Sequence, residues 1–262
     1  MKSILTAAAG GLVVLAGAGA ANAEPLTIWG YHLNATIRAE AAPTYEGGKK
    51  YSVFPGGNLA ISRPWQFDDY AAPDDAASFA IVNTKHISFG AAASIREDRG
   101  NSETLVGMRN IGWSLQGGGF VNIWPTSFMR LHVEALKGLT AQSGLLVNTG
   151  ADFVAHPGKW MIAAGPRYSW GDDRFNGTYF GVTPGEALAS PLIANPYRAR
   201  AGSHFAGVEA NVEYKLRPRW RLTADMTYHR LLGDDANSPL VKQLGSADQL
   251  SAGVGLRFAL SD

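Results

Sequence analysis

The sequence predicts an all-β protein, an antiparallel transmembrane β-barrel of about ten strands, with twelve as the alternative. Three observations carry this prediction. Apolar and polar residues alternate along most of the chain, several alternating segments run for ten residues or more, and short connections alternate with long polar ones. Alternation gives each strand one apolar and one polar face. Segments of about ten residues match a tilted strand that crosses a bilayer.

The first residues predict export. Lys2 is followed by an apolar stretch rich in Ala, Gly, Leu and Val over residues 4–20, and then by an Ala-Asn-Ala motif that ends at Ala23. A basic start, a short apolar stretch and a small-residue motif are typical of a cleaved secretory signal. We therefore expect residues 1–23 to be a signal peptide that is cut off after Ala23, and residues 24–262 to form a single domain.

Composition narrows the class of protein. The chain has 262 residues, no cysteine, a formal net charge of +1 and a mean hydropathy of -0.07. These values leave no disulfide framework and do not fit a helical membrane protein. Nothing in them points to nucleic acid as a partner. The longest uncharged run, residues 110–129, contains three consecutive glycines and a proline, which do not fit a membrane-spanning helix.

The segment from residue 220 to residue 228 shows the alternation clearly. Trp220, Leu222, Ala224, Met226 and Tyr228 are separated by Arg, Thr, Asp and Thr. A period of two predicts a strand and does not fit the 3.6-residue period of a helix. Nine further segments alternate in the same way or more weakly: residues 29–40, 51–62, 87–96, 110–123, 129–135, 147–153, 162–170, 208–216 and 250–258.

The connections between these segments differ in length. The tight ones surround residues 124–126, 156–158 and 217–218, and the long ones surround residues 97–106, 172–203 and 233–248. Such alternation is typical of outer-membrane barrels, which have short periplasmic turns and long external loops. Two regions leave the strand count open. Residues 63–85 are too long for a tight turn, and residues 176–182 could form a short strand.

In a barrel of this kind the apolar faces meet lipid and the polar faces line the lumen. A ten-stranded barrel is narrow enough for its side chains to fill much of the interior, which argues against a wide pore. The side chains expected to do so are Arg38, Glu40, Arg130, Glu134, Arg167, Glu209, Arg221 and Arg257. Aromatic residues near strand ends indicate interfacial girdles. They are Trp29, Trp124, Trp160, Trp170, Trp220 and Phe258.

No catalytic, cofactor-binding or metal-binding residue is predicted. His86 and Ser88 share one strand face, and His132 lies between Arg130 and Glu134, but a polar lumen explains these residues without chemistry. A lumen-facing hydrolase therefore remains a distant alternative.

The remaining polar motifs are also explained without a ligand site. The six histidines, at positions 32, 86, 132, 156, 204 and 229, show no spacing typical of a metal site. The pairs Asp172-Asp173 and Asp234-Asp235 are expected to be solvated loop residues, with cation or lipopolysaccharide bridging as the alternative. Residues 117–119, three glycines, indicate sheet curvature or close packing.

Four stretches carry a resemblance to a known family. They are PTYEGGKKYSVFPG at residues 43–56, GPRYSWGDDRFNGTYFGVTPGEALAS at residues 165–190, YKLRPRWRLTADMTYHRLLGDDANSPLV at residues 214–241 and GSADQLSAGVGLRF at residues 245–258. In this order they resemble the MltA-interacting protein family, also called MipA/OmpV. The resemblance covers most of the chain after the signal peptide.

The resemblance implies a barrel in the outer membrane of a Gram-negative-type cell, in contact with outer-membrane lipid and lipopolysaccharide. It further implies a non-enzymatic scaffold that links a lytic transglycosylase to a murein synthase. A narrow diffusion channel or osmotic-response porin is the alternative function. The resemblance brings no catalytic residues and no cofactor, and it assigns no role to the loop motif at residues 234–241.

Overall fold

The computed structural model describes residues 32–62, 70–96, 98–100, 105–140 and 144–259. Within these residues the chain forms a closed barrel of eleven strands, in which β1 pairs with both β2 and β11. The strands are β1 (His32–Pro43), β2 (Tyr51–Ser62), β3 (Ala77–Asn83), β4 (Ile87–Arg96), β5 (Ser114–Thr126), β6 (Met129–Gly138), β7 (Leu145–Ala155), β8 (Trp160–Gly171), β9 (Gly202–Arg217), β10 (Trp220–Leu231) and β11 (Asp248–Ala259).

Four short helices lie in two of the long connections. They are α1 (Asp173–Tyr179), α2 (Pro184–Ala189), α3 (Gly233–Asn237) and α4 (Pro239–Lys242). Among the described residues, none of these helices has the length and apolar character to span a membrane.

The predicted fold class is confirmed, but the described part of the barrel has eleven strands where about ten were expected. The additional strand is β3, in the region that left the count open. It runs parallel to β2, with Ala60 opposite Ser78 and Ile61 opposite Phe79. The other neighbouring strands are antiparallel. The chain therefore re-enters the barrel between β2 and β3. Residues 176–182 contain the end of α1 and no strand.

The two ends of the barrel differ as the sequence predicts. One end carries short connections at residues 84–86, 127–128, 156–159 and 218–219, and the other carries long ones at residues 44–50, 172–201 and 232–247. The start of β1 and the end of β11 lie at the short end, where Asn34 pairs with Ala259. By the usual asymmetry of outer-membrane barrels, the short end is periplasmic and the long end external.

The alternation along β10 becomes a lipid face and a lumen face. Leu222 and Met226 are 49% and 53% exposed, whereas Thr223 between them is only 7% exposed. Large apolar side chains are exposed on the other strands too, for example Val53 and Phe153. A broad exposed apolar surface on a closed barrel is the surface that lipid covers.

Aromatic pairs mark the periplasmic edge of this apolar surface. Trp160 packs on Tyr214 with ring centroids 4.6 Å apart, and Trp220 packs on Phe258 at 4.9 Å. All four lie at the periplasmic ends of their strands. Amphipathic rings prefer the headgroup level of a bilayer, so this part of the predicted girdle has the expected location.

Trp124 differs from the predicted girdle. It is partly buried and packs against the lumen cluster of Tyr70, Val154 and Met161. Trp29 and the predicted signal peptide lie outside the described residues.

The glycines at residues 117–119 lie where β5 and β6 approach closely. A Cβ atom added to Gly118 would lie 1.8 Å from the carbonyl oxygen of Ala135 on β6. Such an overlap with backbone cannot be relieved by rotating a side chain. The predicted close packing at these glycines is therefore confirmed.

We predict that Gly118→Ala lowers the free energy of unfolding of the barrel by about 1–3 kcal/mol, because β5 and β6 must move apart. Gly112→Ala is the matched control, since nothing lies within 4 Å of a Cβ at that position. The measurement is the midpoint of urea unfolding. The heat-dependent gel shift distinguishes folded from unfolded barrel at each urea concentration. Equal midpoints for the two variants would contradict the close approach.

Candidate functional site

A short segment fills the middle of the lumen. We call residues 70–76 the plug. Within it, Asp75 closes a tight turn around Pro73, because its backbone N–H donates to the carbonyl of Ala72 at 3.1 Å. Its carboxylate also accepts from the Ala72 N–H at 2.9 Å. Proline and aspartate favour such turns, and this one presents Asp74 and Asp75 to the barrel wall.

Arg130 on β6 holds the plug from one side. Its Nη1 and Nη2 donate to the two carboxylate oxygens of Asp75 at 2.6 and 3.1 Å, and its Nε donates to Asp152 at 2.8 Å. The guanidinium also lies over the ring of Tyr70, 4.8 Å from its centroid. Arg130 is 1% exposed, so both carboxylates are needed to offset the cost of burying its charge.

Arg167 on β8 holds the plug from the other side. Its Nε donates to Asp74 at 2.7 Å, and its Nη2 donates to Asp152 at 2.7 Å and to Glu209 at 3.0 Å. Asp152 therefore bridges Arg130 and Arg167. Asp152 and Glu209 are 0% and 1% exposed, so the plug and the barrel wall shield these two carboxylates from solvent.

The side chains that the sequence predicts to fill the interior do lie in the lumen. Arg38 pairs with Glu40 at 2.8 Å, and Arg257 pairs with Glu213 on β9 at 2.8 Å. One cavity beside the plug, lined by described residues of the lumen, has a volume of about 30 Å³. That is room for about one or two water molecules.

The external end of the barrel is closed by a second layer. We call this layer the dome. It consists of the packed external connections, residues 44–50, 105–113, 172–201 and 232–247. Two apolar clusters hold it together, and their fully buried members include Leu105, Ile111, Phe180, Ile193 and Leu240.

Three of the four short dome helices, α1, α2 and α4, begin at a side-chain cap. Asp172 caps α1 by accepting from the Phe175 N–H at 2.7 Å. Thr183 and Glu186 form a reciprocal capping box at α2. Ser238 caps α4, and its hydroxyl donates to the carbonyl of Phe180 at 2.6 Å.

A buried polar chain crosses the dome. His204 on β9 has Asp235 of α3 at 2.8 Å from Nδ1 and Glu46 at 2.7 Å from Nε2. Glu46 also accepts from Arg96 at the end of β4, at 2.6 Å. His204 and Asp235 are both 0% exposed. This chain joins four separate elements at the external mouth: the connection at residues 44–50, β4, β9 and α3.

Two pKa values in this chain are shifted in opposite directions. Burial raises the pKa of Asp235 to about 6, although His204 opposes that shift. Burial also acts to raise the pKa of Glu46, but His204 and Arg96 outweigh it and hold this pKa well below its usual range. Glu46 is therefore ionised, and its two carboxylate oxygens contact His204 and Arg96.

This arrangement corrects one expectation. Asp235 was predicted to be a solvated loop residue, yet it is fully buried beside His204. Asp234 accepts from the Arg200 N–H at 3.0 Å, and Asp173 accepts from the Ala201 N–H at 2.8 Å. N–H groups of the loop backbone need hydrogen-bond acceptors, and the carboxylates of Asp234 and Asp173 provide them. These two acids therefore stabilise the dome and do not only face water.

The residues considered for hydrolysis do not form a catalytic arrangement. The Ser88 hydroxyl accepts from Asn122 at 3.3 Å, and Asn122 faces His132 at 2.6 Å through its carbonyl oxygen. An amide therefore stands between the hydroxyl and the imidazole. His86 lies in an exposed periplasmic turn beside the Trp124 carbonyl. His204 has carboxylates on both ring nitrogens, which leaves neither nitrogen to act as a base.

Among the described residues, no group of three or more His, Asp or Glu side chains has an arrangement that could hold a metal ion. The important groups that the sequence did not indicate are Tyr70, Asp74 and Asp75 in the plug, and Glu46 with His204 in the dome. Only the turn chemistry of Pro73-Asp74-Asp75, inside a connection too long for a tight turn, could have indicated the plug.

We predict that Arg130→Met destabilises the barrel by about 3–5 kcal/mol, because Asp75 and Asp152 lose their shared buried cation. Arg221→Met is the matched lumen control. It has one ion pair, at 3.4 Å from Glu213, and its side chain is 26% exposed, so we expect a cost below about 1 kcal/mol. Urea unfolding at neutral pH measures both, and a similar cost for the two variants would contradict the anchoring role of Arg130.

Comparison with solved structures finds other β-barrels at low similarity. The N-terminal β-barrel domain of Pseudomonas aeruginosa OprF is 9% identical, with a TM-score of 0.27, and the match covers 87% of this chain and 96% of that one. The outer-membrane protein OmpT of Vibrio cholerae is 8% identical, with a TM-score of 0.33 and coverage of 90% and 100%. The CymD monoaromatic hydrocarbon channel is 11% identical, with a TM-score of 0.39 and coverage of 89% and 89%.

Similarity at this level transfers neither activity nor substrate. None of the curated protein sequences matches the chain. The family model described as "MltA-interacting protein MipA" matches residues 36–260, a range that includes the four motif stretches, the plug and the dome. The chain therefore belongs to the MltA-interacting protein MipA family and is an outer-membrane β-barrel of that family.

Proposed function

We propose that this barrel is a non-enzymatic scaffold of the outer membrane, which holds a lytic transglycosylase and a murein synthase together at its periplasmic end. The family name refers to interaction with the enzyme MltA. The observation that carries the proposal is the blocked lumen. The ion pairs of Arg130 and Arg167 hold the plug across the barrel, so within the part of the chain that the structure describes the lumen is obstructed and the surfaces remain available to partners.

The absence of a catalytic arrangement in the described residues supports a non-enzymatic role. Ser88 is separated from His132 by an amide, and both nitrogens of His204 are occupied. A nucleophile needs a base within hydrogen-bond reach, and these residues do not provide one. Export with cleavage after Ala23, and contact of the apolar belt with lipid and lipopolysaccharide, belong to the same proposal.

The periplasmic rim offers a surface for such partners. The described short connections, residues 84–86, 127–128, 156–159 and 218–219, contain no acidic residue. They and the neighbouring strand ends carry cations, most of them exposed: Lys85, Lys159, Lys215, Arg217 and Arg219. Charge of a single sign attracts proteins whose docking surface is acidic and speeds their association.

We predict that the variant Lys85→Glu/Lys159→Glu/Arg217→Glu recovers at least about tenfold less lytic transglycosylase from envelope extract than the wild type, because like charges now face the partner. The matched control reverses three exposed cations of the external end, Lys49→Glu/Arg198→Glu/Lys242→Glu. It should recover as much as the wild type.

Recovery is measured by affinity capture and immunoblot, with the gel shift confirming that each variant is folded. Absence of any murein enzyme from the wild-type capture would reject the scaffold role. Equal losses in both triple variants would reject the rim as the docking surface.

The narrow diffusion channel is tested separately. We predict no unitary conductance for the wild type in planar bilayers, since Arg130, Asp152 and Glu209 close the lumen. Replacing residues 70–76 by a Gly-Ser segment of equal length should produce stable steps, because a lumen emptied of its plug fills with water.

Asp74→Ala is the control for this measurement. This variant removes one ion pair and leaves Asp75 bound to Arg130 at 2.6 Å. We therefore expect it to show no unitary conductance. Stable steps from the wild type would favour the channel over the scaffold.

A further inference from the structure

His204 ties two connections of the dome to the barrel wall. It lies near the external end of β9, and its side chain is 0% exposed. Its Nδ1 lies 2.8 Å from Asp235 of α3, and its Nε2 lies 2.7 Å from Glu46 in residues 44–50. One imidazole ring is therefore the link between β9 and both connections.

These two contacts determine the protonation state of the ring. A carboxylate only accepts hydrogen bonds, so each ring nitrogen needs a hydrogen in order to bind one. A neutral imidazole has a hydrogen on one nitrogen, and its other nitrogen would turn a lone pair toward a carboxylate oxygen. The geometry therefore requires the imidazolium form of His204, which is cationic and donates from both nitrogens.

Aromatic rings enclose the imidazolium. Phe175 and Phe180 lie with their ring centroids 5.2 and 5.4 Å from that of His204, and Phe205 lies at 5.2 Å. These rings keep water away and supply no hydrogen-bond acceptor for the N–H groups. The two carboxylates are thus the partners that offset the cost of burying the charge.

The elements packed around the ring contribute few ionisable groups. By element these groups are Glu46 from residues 44–50, Arg96 from β4, His229 from β10, and Asp235 with its neighbour Asp234 from α3. Arg96 contacts the second carboxylate oxygen of Glu46 at 2.6 Å. The ring of Phe205 contacts both His204 and His229, and it stacks on His229 at 4.5 Å.

Loss of the proton from His204 would disrupt this arrangement. One of the two hydrogen bonds would become a contact between a lone pair and a carboxylate oxygen. The affected carboxylate would then be an ionised group buried without its partner, which is strongly unfavourable. Moving the connection that carries it into water relieves this cost.

We propose that the dome is a lid held shut by one proton: the imidazolium of His204 binds residues 44–50 and α3 to β9, and loss of its proton releases them. The lid covers the external end of the barrel. The inference does not rest on the scaffold role at the periplasmic rim.

The pH at which the lid opens follows from the surroundings of His204. Burial acts to lower the pKa of His204, but Glu46 and Asp235 outweigh it and raise this pKa to about 9. A raised pKa stabilises the closed lid fully below the ordinary value of 6.5, and this stabilisation is lost as the pH rises through about 9. With pKa values of about 6 for Asp235 and far lower for Glu46, both acids are already ionised in this range.

The test is limited proteolysis of the purified full-length barrel in detergent by subtilisin, from about pH 7 to about pH 10.5. Each rate is divided by the rate on an unfolded reference chain at the same pH, and the cuts are mapped to residues 172–201 and 232–247. The heat-dependent gel shift confirms that the barrel stays folded. We expect cleavage in the dome to rise at least about tenfold as the pH passes about 9, because the dome opens locally.

His204→Gln removes the charge. The amide of glutamine has one nitrogen and cannot donate from two opposite sides of the side chain. We expect cleavage in the dome at neutral pH to be at least about tenfold faster than in the wild type, with no further rise through about pH 9. His156→Gln, at an exposed histidine of a periplasmic connection, is the matched control and should be cut like the wild type.

Asp235→Asn tests the pH dependence itself. It keeps an acceptor oxygen for Nδ1 and removes one of the two negative charges that hold the proton on His204. The pH of opening should therefore fall by about one unit or more. Asp234→Asn removes the neighbouring charge, which contacts the Arg200 N–H, and should open at the pH of the wild type. This pair decides the question even where His204→Gln does not fold.

Three results would overturn the proposal. The first is a wild-type dome that is equally resistant at neutral pH and at about pH 10.5. The second is a folded His204→Gln variant whose dome resists cleavage like the wild type. The third is an equal pH of opening for Asp235→Asn and Asp234→Asn.

Discussion

The rest of the structure depends on how the charges inside the barrel are paired. A closed sheet with an apolar outer face must turn its polar residues inward, and in a narrow barrel these residues leave little room for water. Arg130 and Arg167 reach this interior from β6 and β8, and each needs carboxylates to offset its desolvation. Asp152 supplies one carboxylate for both. Glu209 supplies another for Arg167, and the remaining two, Asp74 and Asp75, come from the plug.

The plug in turn explains the odd strand count. Residues 70–76 lie in the lumen, and β3 then starts beside the last residues of β2 and runs in the same direction. Eleven strands with one parallel pair still place both ends of the sheet at the periplasmic side. The irregular strand pairing and the filled lumen are thus two results of one re-entrant segment.

The barrel could be predicted from the sequence because its determinant is local. Along β10 each neighbouring pair of residues faces opposite environments, so the alternation is visible without any tertiary contact. β3 has only seven residues and follows a segment without a period, which is why the count stayed open. The polar chain of the dome could not be predicted, because Glu46 and His204 are 158 positions apart. A single sequence gives no sign that two such residues meet.

Motifs of the family now have a physical explanation. In residues 233–241, Asp235 binds His204, Ser238 caps a helix and bonds to Phe180, and Leu240 and Val241 enter the apolar clusters of the dome. Glu46 lies in the first of the family-like stretches and binds the other side of His204. These motifs therefore build the cover of the external mouth. The periplasmic rim lies at the opposite end, beyond the plug. The ion pairs of the plug therefore separate the cover of the external mouth from the periplasmic rim.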